Sequence, residues 1–201
     1  MFDLLKAALR QRPDYIIVGE IRGEEGQVAF QAIETGHPVL STFHAGDLQT
    51  LFQRLTSPPI NVPKTHINGL NLAIFQNRIK RGLRLVRRVL SVNEIISYDS
   101  DSGSLNYFPV FVYDPDADQL RFRGSSIFLE AKVLPYRGWG TDKTPELYRE
   151  LQMRAEILRV LSEKSPKFRS VWNTVIETEQ VGVEKVYRMI KEGKMPWLTA
   201  Y

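Results

Sequence analysis

The chain has 201 residues, 43% of them hydrophobic and 25% charged, with 27 Lys and Arg against 23 Asp and Glu and a net charge of +4. It has no cysteine, which excludes disulfides and every cysteine-ligated zinc site, and no apolar run approaches the roughly 18 residues that cross a bilayer. The length suits one sizeable core or two small ones, and the mildly basic balance permits a polyanionic partner without indicating one.

The chain starts with "MFDLLKAALRQRPD", which is amphipathic rather than a signal peptide, so a cytoplasmic setting is expected. Leu4, Leu5, Ala8 and Leu9 predict a helix over 3–12, broken by "RPD". "YIIVG" then has the β-rich, fully apolar character of a buried parallel strand. "EEGQVAFQAIETG" predicts a helix with Val28, Ala29, Ala32 and Ile33 on one face, acids in its first turn and Gly36 as its stop. "VLSTF" predicts a second strand. Strand, helix and strand within about 30 residues make a βαβ unit with parallel strands.

Further on, a helix is expected from about 47, another over 64–72, and strands over 73–79 and 84–98, with Val86, Leu90, Val92 and Ile96 sharing a side. "YFPVFVYDPDADQLRFRG" predicts a hairpin turning at Asp114 to Gln119. Three short amphipathic helices follow between about 141 and 195. The first is capped by Thr144–Pro145 and the second by Ser165–Pro166, with Phe168, Val171, Trp172, Val175 and Ile176 as the second helix's inward stripe.

Ligands of open α/β sheets bind beyond the carboxyl ends of the strands. Glu20 ends the first strand and His44 the second, so the two are expected side by side. His37 lies at the other end of its strand. Seven residues of strand span about 23 Å, so His37 and His44 cannot share a metal ion; by spacing His37 is as well explained as a helix-end histidine with local hydrogen bonds. "YIIVGE" has the shape of a Walker B strand, in which two acids usually hold Mg²⁺ and handle water. Here the first of those positions is Gly19, so Glu20 suits water handling better than metal ligation.

These residues carry a resemblance. "LRQRPD", "VGEIRG", "TGH" and "STFHA", in order over about 44 residues, resemble the Walker B and histidine-box region of the secretion ATPase superfamily, the hexameric motors of type II secretion, type IV pili, conjugative type IV secretion and the archaellum. "RRVLSVNEI", the "YDPDAD" hairpin and "ELYRELQMRAEIL" resemble its archaeal branch. The resemblance implies that Glu20 positions or activates the attacking water and that His44 contacts and reports the γ-phosphate region. It implies that His37 is structural or conformational, that Arg22 contacts a phosphate, an acid or a neighbouring subunit, and that Thr42 is the box threonine. It implies ATP and Mg²⁺ as substrate and cofactor, a homo-hexamer, a membrane platform protein as partner, and a peripheral position at the inner face of the cell membrane.

The departures are as informative. No G-x-x-x-x-G-K-[ST] loop occurs in the 201 residues, and that loop supplies the amides and lysine that cradle the phosphates. The chain therefore resembles the C-terminal part of a motor and is expected not to turn over ATP alone. The four-cysteine motif of bacterial type II motors is missing, which favours the archaeal or pilus-like branches.

The expected fold is α/β: a partial RecA-like parallel sheet over 1–98, a β-hairpin extension over 99–138 and a helical subdomain over 139–201. "RIKRGLRLVRR" over 78–88 holds six basic residues in eleven. It reads as a nucleic-acid or anionic-membrane patch, or more plainly as a solvated strand face or subunit contact; nucleic acid is the disfavoured partner. The competing readings are a non-catalytic basic domain that binds nucleic acid or a partner protein, and a conjugative traffic ATPase.

Overall fold

The computed structural model describes residues 2–99, 104–164 and 167–194. They form two compact units, Met1–Phe128 and Leu129–Tyr201. The Ser165–Pro166 cap lies outside the described residues.

The first unit opens with α1 (Phe2–Arg10), which buries Leu5. Strand β1 (Ile16–Val18) and β2 (Val39–Ser41) pair in parallel, joined by α2 (Glu25–Glu34). α2 ends where Gly36 takes a left-handed φ of 89°. There the His37 amide donates to the Ala32 carbonyl at 2.9 Å and the Gly36 amide to that of Ile33 at 2.9 Å. This closes the helix in a Schellman motif and aims the chain into β2. α2 buries Val28, Ala29, Phe30 and Ala32 against Ile16 and Val18 of β1, Leu5, Ile21, Leu55, Ile60, Val62, Ile67 and Tyr98.

The expectation of a strand buried on both faces does not hold for β1. Ile16 and Val18 are buried, but Ile17 is 76% exposed and its neighbour Leu40 57%. Among the described residues the parallel sheet has two strands, and the core lies on one side of it.

α3 (Leu48–Thr56) starts at Asp47, whose Oδ1 accepts from the Thr50 amide at 2.7 Å. The helix expected over 64–72 is a 3₁₀ turn at Lys64–Gly69. An antiparallel sheet follows, of β3 (Leu72–Arg81), β4 (Arg84–Asp99), β5 (Ser104–Asp114) and β6 (Gln119–Phe122), in that order. The single-sided alternation expected for β4 fails in its second half. Bulges between Val92 and Asn93 and between Ile95 and Ser97 shift the parity, so Asn93, Glu94 and Ile95 are buried in succession and Ile96 is exposed. Glu94 is satisfied there by the Ser126 hydroxyl, by the Ile127 amide at 2.8 Å and by the Phe128 amide at 3.4 Å. This pins the end of the first unit onto the sheet.

The second unit runs through a π-helical turn (Leu129–Val133), α4 (Leu134–Tyr136), α5 (Thr144–Glu163), α6 (Phe168–Val181) and α7 (Val183–Lys191). Ile157, Leu161, Val186 and Ile190 make its core. α5 is 20 residues long, not short. Thr144 does not cap it: a 3₁₀ turn at Thr141–Lys143 leads straight in, so Thr144 is already helical and its hydroxyl donates to the Thr141 carbonyl at 2.8 Å.

The inward stripe expected on α6 instead faces out, with Phe168 82% and Trp172 55% exposed. Thr174 and Thr178 are buried in its place, and each hydroxyl donates to the carbonyl four residues back, at 2.8 and 2.7 Å. With its hydroxyl satisfied on its own helix, a threonine packs as a small apolar residue.

Candidate functional site at the ends of the parallel strands

The register of the parallel pair builds the site. Ile16 faces Val39 and Val18 faces Ser41, and the pairing continues past the strands, with the Ile21 amide donating to the Thr42 carbonyl at 3.2 Å. That offset carries Glu20 and His44 to the same edge. The Thr42 hydroxyl donates to the Gly19 carbonyl at 2.5 Å, tying the two strand exits together just before the acid.

Three side chains meet there. Glu20 Oε1 is 3.1 Å from His44 Nε2, and Glu20 Oε2 is 2.7 Å from an Arg22 guanidinium nitrogen. Arg22 is aimed by the turn it sits in. Glu25 Oε1 accepts from the amides of Arg22 at 2.7 Å and Gly23 at 2.9 Å, holding "IRG" as the entry to α2. These amide bonds, that of Arg22 first, keep the Glu25 carboxyl below its ordinary pKa. Glu20 is also held below its ordinary value, chiefly by the hydrogen bond from Arg22, with smaller electrostatic contributions from Arg22, His44 and Arg54; partial desolvation opposes them. Arg22 is raised in return.

The arrangement is a partly buried carboxylate at the end of a strand that is buried on one face, with two exposed donors folded onto it. An anion arriving at this edge would find the Arg22 guanidinium and the His44 imidazole, both free to turn from Glu20 toward it. A Mg²⁺ ion fits these residues poorly: it takes six oxygen ligands in near-octahedral geometry, whereas Glu20 is one carboxylate already engaged by two cationic or N–H donors. No group of three or more His, Asp or Glu side chains among the described residues is placed to hold a metal.

Of the residues expected at the site, Glu20, Arg22, Thr42 and His44 come together. His37 does not. It sits at the start of β2, where its amide closes α2 and its Nδ1 is 3.3 Å from the Thr35 hydroxyl. Sequence reasoning missed Arg54. Its guanidinium donates to the His44 carbonyl and lies over the Phe43 ring at 5.2 Å, bracing the loop that carries His44. The available signal was its place in the last turn of α3, whose start at Asp47 follows His44 by three residues.

Residues 1–105 match the family described as type II/IV secretion system protein. An uncharacterized protein of Methanocaldococcus jannaschii is 47% identical over 160 residues, which are 79% of this chain and 29% of that protein. A second from the same organism is 41% identical over 180 residues, 90% of this chain and 65% of that protein. The type IV pilus assembly ATPase PilB of Pseudomonas aeruginosa is 39% identical over 89 residues, 43% of this chain and 14% of that protein. The chain thus spans less than two thirds of the length of each of these relatives.

Proposed function

The chain belongs to the type II/IV secretion system protein family, and from that membership we propose that it is the C-terminal part of an ATPase motor that drives a secretion system or assembles a pilus-like or archaellum filament. In this reading β1, α2 and β2 are part of a RecA-like core, β1 is its Walker B strand, and Glu20 is the residue that handles the attacking water. The bare side of the parallel sheet, with Ile17 and Leu40 exposed, supports further core elements packing there in the longer protein. The P-loop and the Mg²⁺ ligands belong to those elements, so the 201 residues alone bind ATP weakly and do not hydrolyse it. The working form is a homo-hexamer on a platform protein at the inner face of the cell membrane.

The observation that carries the reading is the Glu20–His44 contact of 3.1 Å beside the Glu20–Arg22 pair of 2.7 Å. A carboxylate whose pKa is lowered is a weaker base. Glu20 therefore acts by orienting water through its acceptor oxygens, and the phosphoryl group's own dissociative chemistry needs little proton abstraction at the start. The γ-phosphate competes with Glu20 for Arg22 and His44. When these turn to the phosphate, the carboxylate is released to the water; when the phosphate leaves, they close on Glu20 again. His44 and Arg22 thereby couple nucleotide state to the strand ends, and Thr42 keeps the two strand ends in register. His37 contributes by fixing where β2 begins.

The test is Glu20→Gln in the longer protein that carries the P-loop. Nucleotide binding should persist while steady-state hydrolysis falls by about 10²-fold or more. Hydrolysis at the wild-type rate would remove Glu20 from the reaction.

A further inference from the structure

The basic stretch over 78–88 forms the end of the β3–β4 ribbon. Residues 84–89 of β4 pair with β3 alone, because pairing with β5 begins at Ser91 opposite Val112. The arm so formed is roughly 20 Å long. One face of it is clamped to the β5–β6 turn: Arg88 donates to both oxygens of Asp118 at 2.8 Å, and the Tyr113 hydroxyl donates to the same carboxylate at 2.7 Å. The Arg81 guanidinium donates to the Pro115 carbonyl and lies 3.9 Å from Asp118. The neighbouring turn's Asp114 is taken by Arg121 at 2.6 Å, which leaves Asp116 as its unpaired acid.

On the face of the arm away from the clamp, and at its tip, the charges are unbalanced. Arg78, Lys80, Arg84 and Arg87 form no ion pair with any described acidic side chain. Arg78 and Arg87 stand directly opposite each other in the ladder, and Lys80 faces Leu85, so Arg78, Lys80, Leu85 and Arg87 share one face. Like charges directly opposed destabilise a hairpin unless an anion lies between them. At the tip Leu83 is fully exposed, at 100%, and Leu85 is 62% exposed.

We propose that this arm docks on the surface of an anionic lipid bilayer, with Arg78, Lys80, Arg84 and Arg87 on headgroup phosphates and Leu83 seated below them in the interfacial layer. Charge complementarity selects an anionic partner, and the leucine tip selects among anionic partners. Nucleic acid would leave Leu83 in water, and residues 78–88 carry no aromatic ring for bases to stack on. A lipid surface satisfies both at once: cations meet headgroups while the apolar tip enters the acyl boundary. The Asp118 clamp keeps the arm stiff enough to present the tip. The inference does not depend on the ATPase reading, since it uses none of the residues around Glu20.

The experiment is sedimentation of the full chain with vesicles of phosphatidylcholine alone and of phosphatidylcholine mixed with phosphatidylglycerol. Binding is expected to the mixed vesicles only and to weaken as salt is raised. Each of Arg78→Gln, Lys80→Gln and Arg87→Gln should weaken it by roughly fivefold, and Leu83→Ser by about tenfold or more. The chain has no native cysteine, so Leu83→Cys takes a single environment-sensitive dye, whose emission should shift to the blue with mixed vesicles and stay unchanged with neutral ones. Equal binding to both vesicle types, wild-type binding by the three charge variants, or a dye that stays in water would each overturn the proposal. So would binding of duplex or single-stranded DNA through the same cations with no vesicle binding, which would assign the arm to nucleic acid.

Discussion

Glu20 and Asp118 are both pulled below their ordinary pKa by arginine, and their settings give them different work. Glu20 is gripped by two exposed donors, Arg22 and His44, so its partners can be drawn away by a better anion. Asp118 is gripped by Arg88 through both oxygens and by Tyr113, inside a turn where Asp118 itself holds φ at 54°; its grip is structural. The Arg88 bond is the largest cause of its lowering, the Tyr113 hydroxyl the second, and the carboxyl lies well below the usual carboxylate range. The sign follows by linkage. A carboxylate with a depressed folded pKa adds stability that is full above its unfolded value, here the ordinary 3.8, and that disappears as pH falls through the folded value. Asp118→Asn should therefore be less stable than wild type at neutral pH, with the gap narrowing below pH 3.8. Denaturant midpoints of the two proteins along a pH series down to about 2 read this directly; a gap independent of pH would show that the clamp is not ionic.

At the scale of elements, α2 shows how closely the site is supported. Gly26 lies in its first turn, and a Cβ there would come within 2.6 Å of the Ile60 Cγ2 and 2.9 Å of the Ile21 Cγ2. Both are methyls on β-branched carbons, which have little room to turn away. Alanine normally stabilises a helix over glycine by up to about 1 kcal/mol; here overpacking of about 1–3 kcal/mol should win. Gly26→Ala is expected to lower stability in a denaturant melt, and because Ile21 sits between Glu20 and Arg22 it should also disturb their pairing. A stabilised variant would mean that α2 can slide away from Ile60.

The same elements show what the sequence could disclose. The strand–helix–strand unit, its parallel pairing and the meeting of Glu20 with His44 were legible because each depends on local signals: an apolar strand, an amphipathic helix, a glycine stop and a fixed topology rule. The bulges of β4 were not. Period-two reasoning assumes an unbroken ladder, and one extra residue reverses the side on which Ile95 and Ile96 fall. The outward stripe of α6 was not legible either, because a large apolar residue and a back-bonded threonine compete for the interior, and helical periodicity cannot rank them. Arg54 joins the site through a backbone carbonyl, a partner with no residue identity to search for.

For the whole molecule the decisive fact is that, among the described residues, the main cores of its two units are of unequal size. The core of the first unit gathers buried side chains from α1, β1, α2, α3, the 3₁₀ turn at Lys64–Gly69 and β4. That of the second is four buried residues between α5 and α7, Ile157, Leu161, Val186 and Ile190, with partly buried neighbours. Burial of apolar area is the main favourable contribution to folding, so the second unit has less to set against its conformational entropy. Glu150 adds to it by holding Arg137 through both oxygens, one at 2.8 Å, and Arg154 at 2.9 Å, yet charge pairs of this exposure contribute little. Calorimetry should show two transitions, with the second unit melting first. Phe30→Ala, removing a ring that is buried in the first core, should lower only the upper transition, by about 3–5 kcal/mol. Val186→Ala, at a fully buried position between α5 and α7, should lower only the lower one. If instead either substitution moved one common transition, the two cores would be folding as a single cooperative body, and the ends of the parallel strands that carry Glu20 and His44 would feel every change in the C-terminal helices.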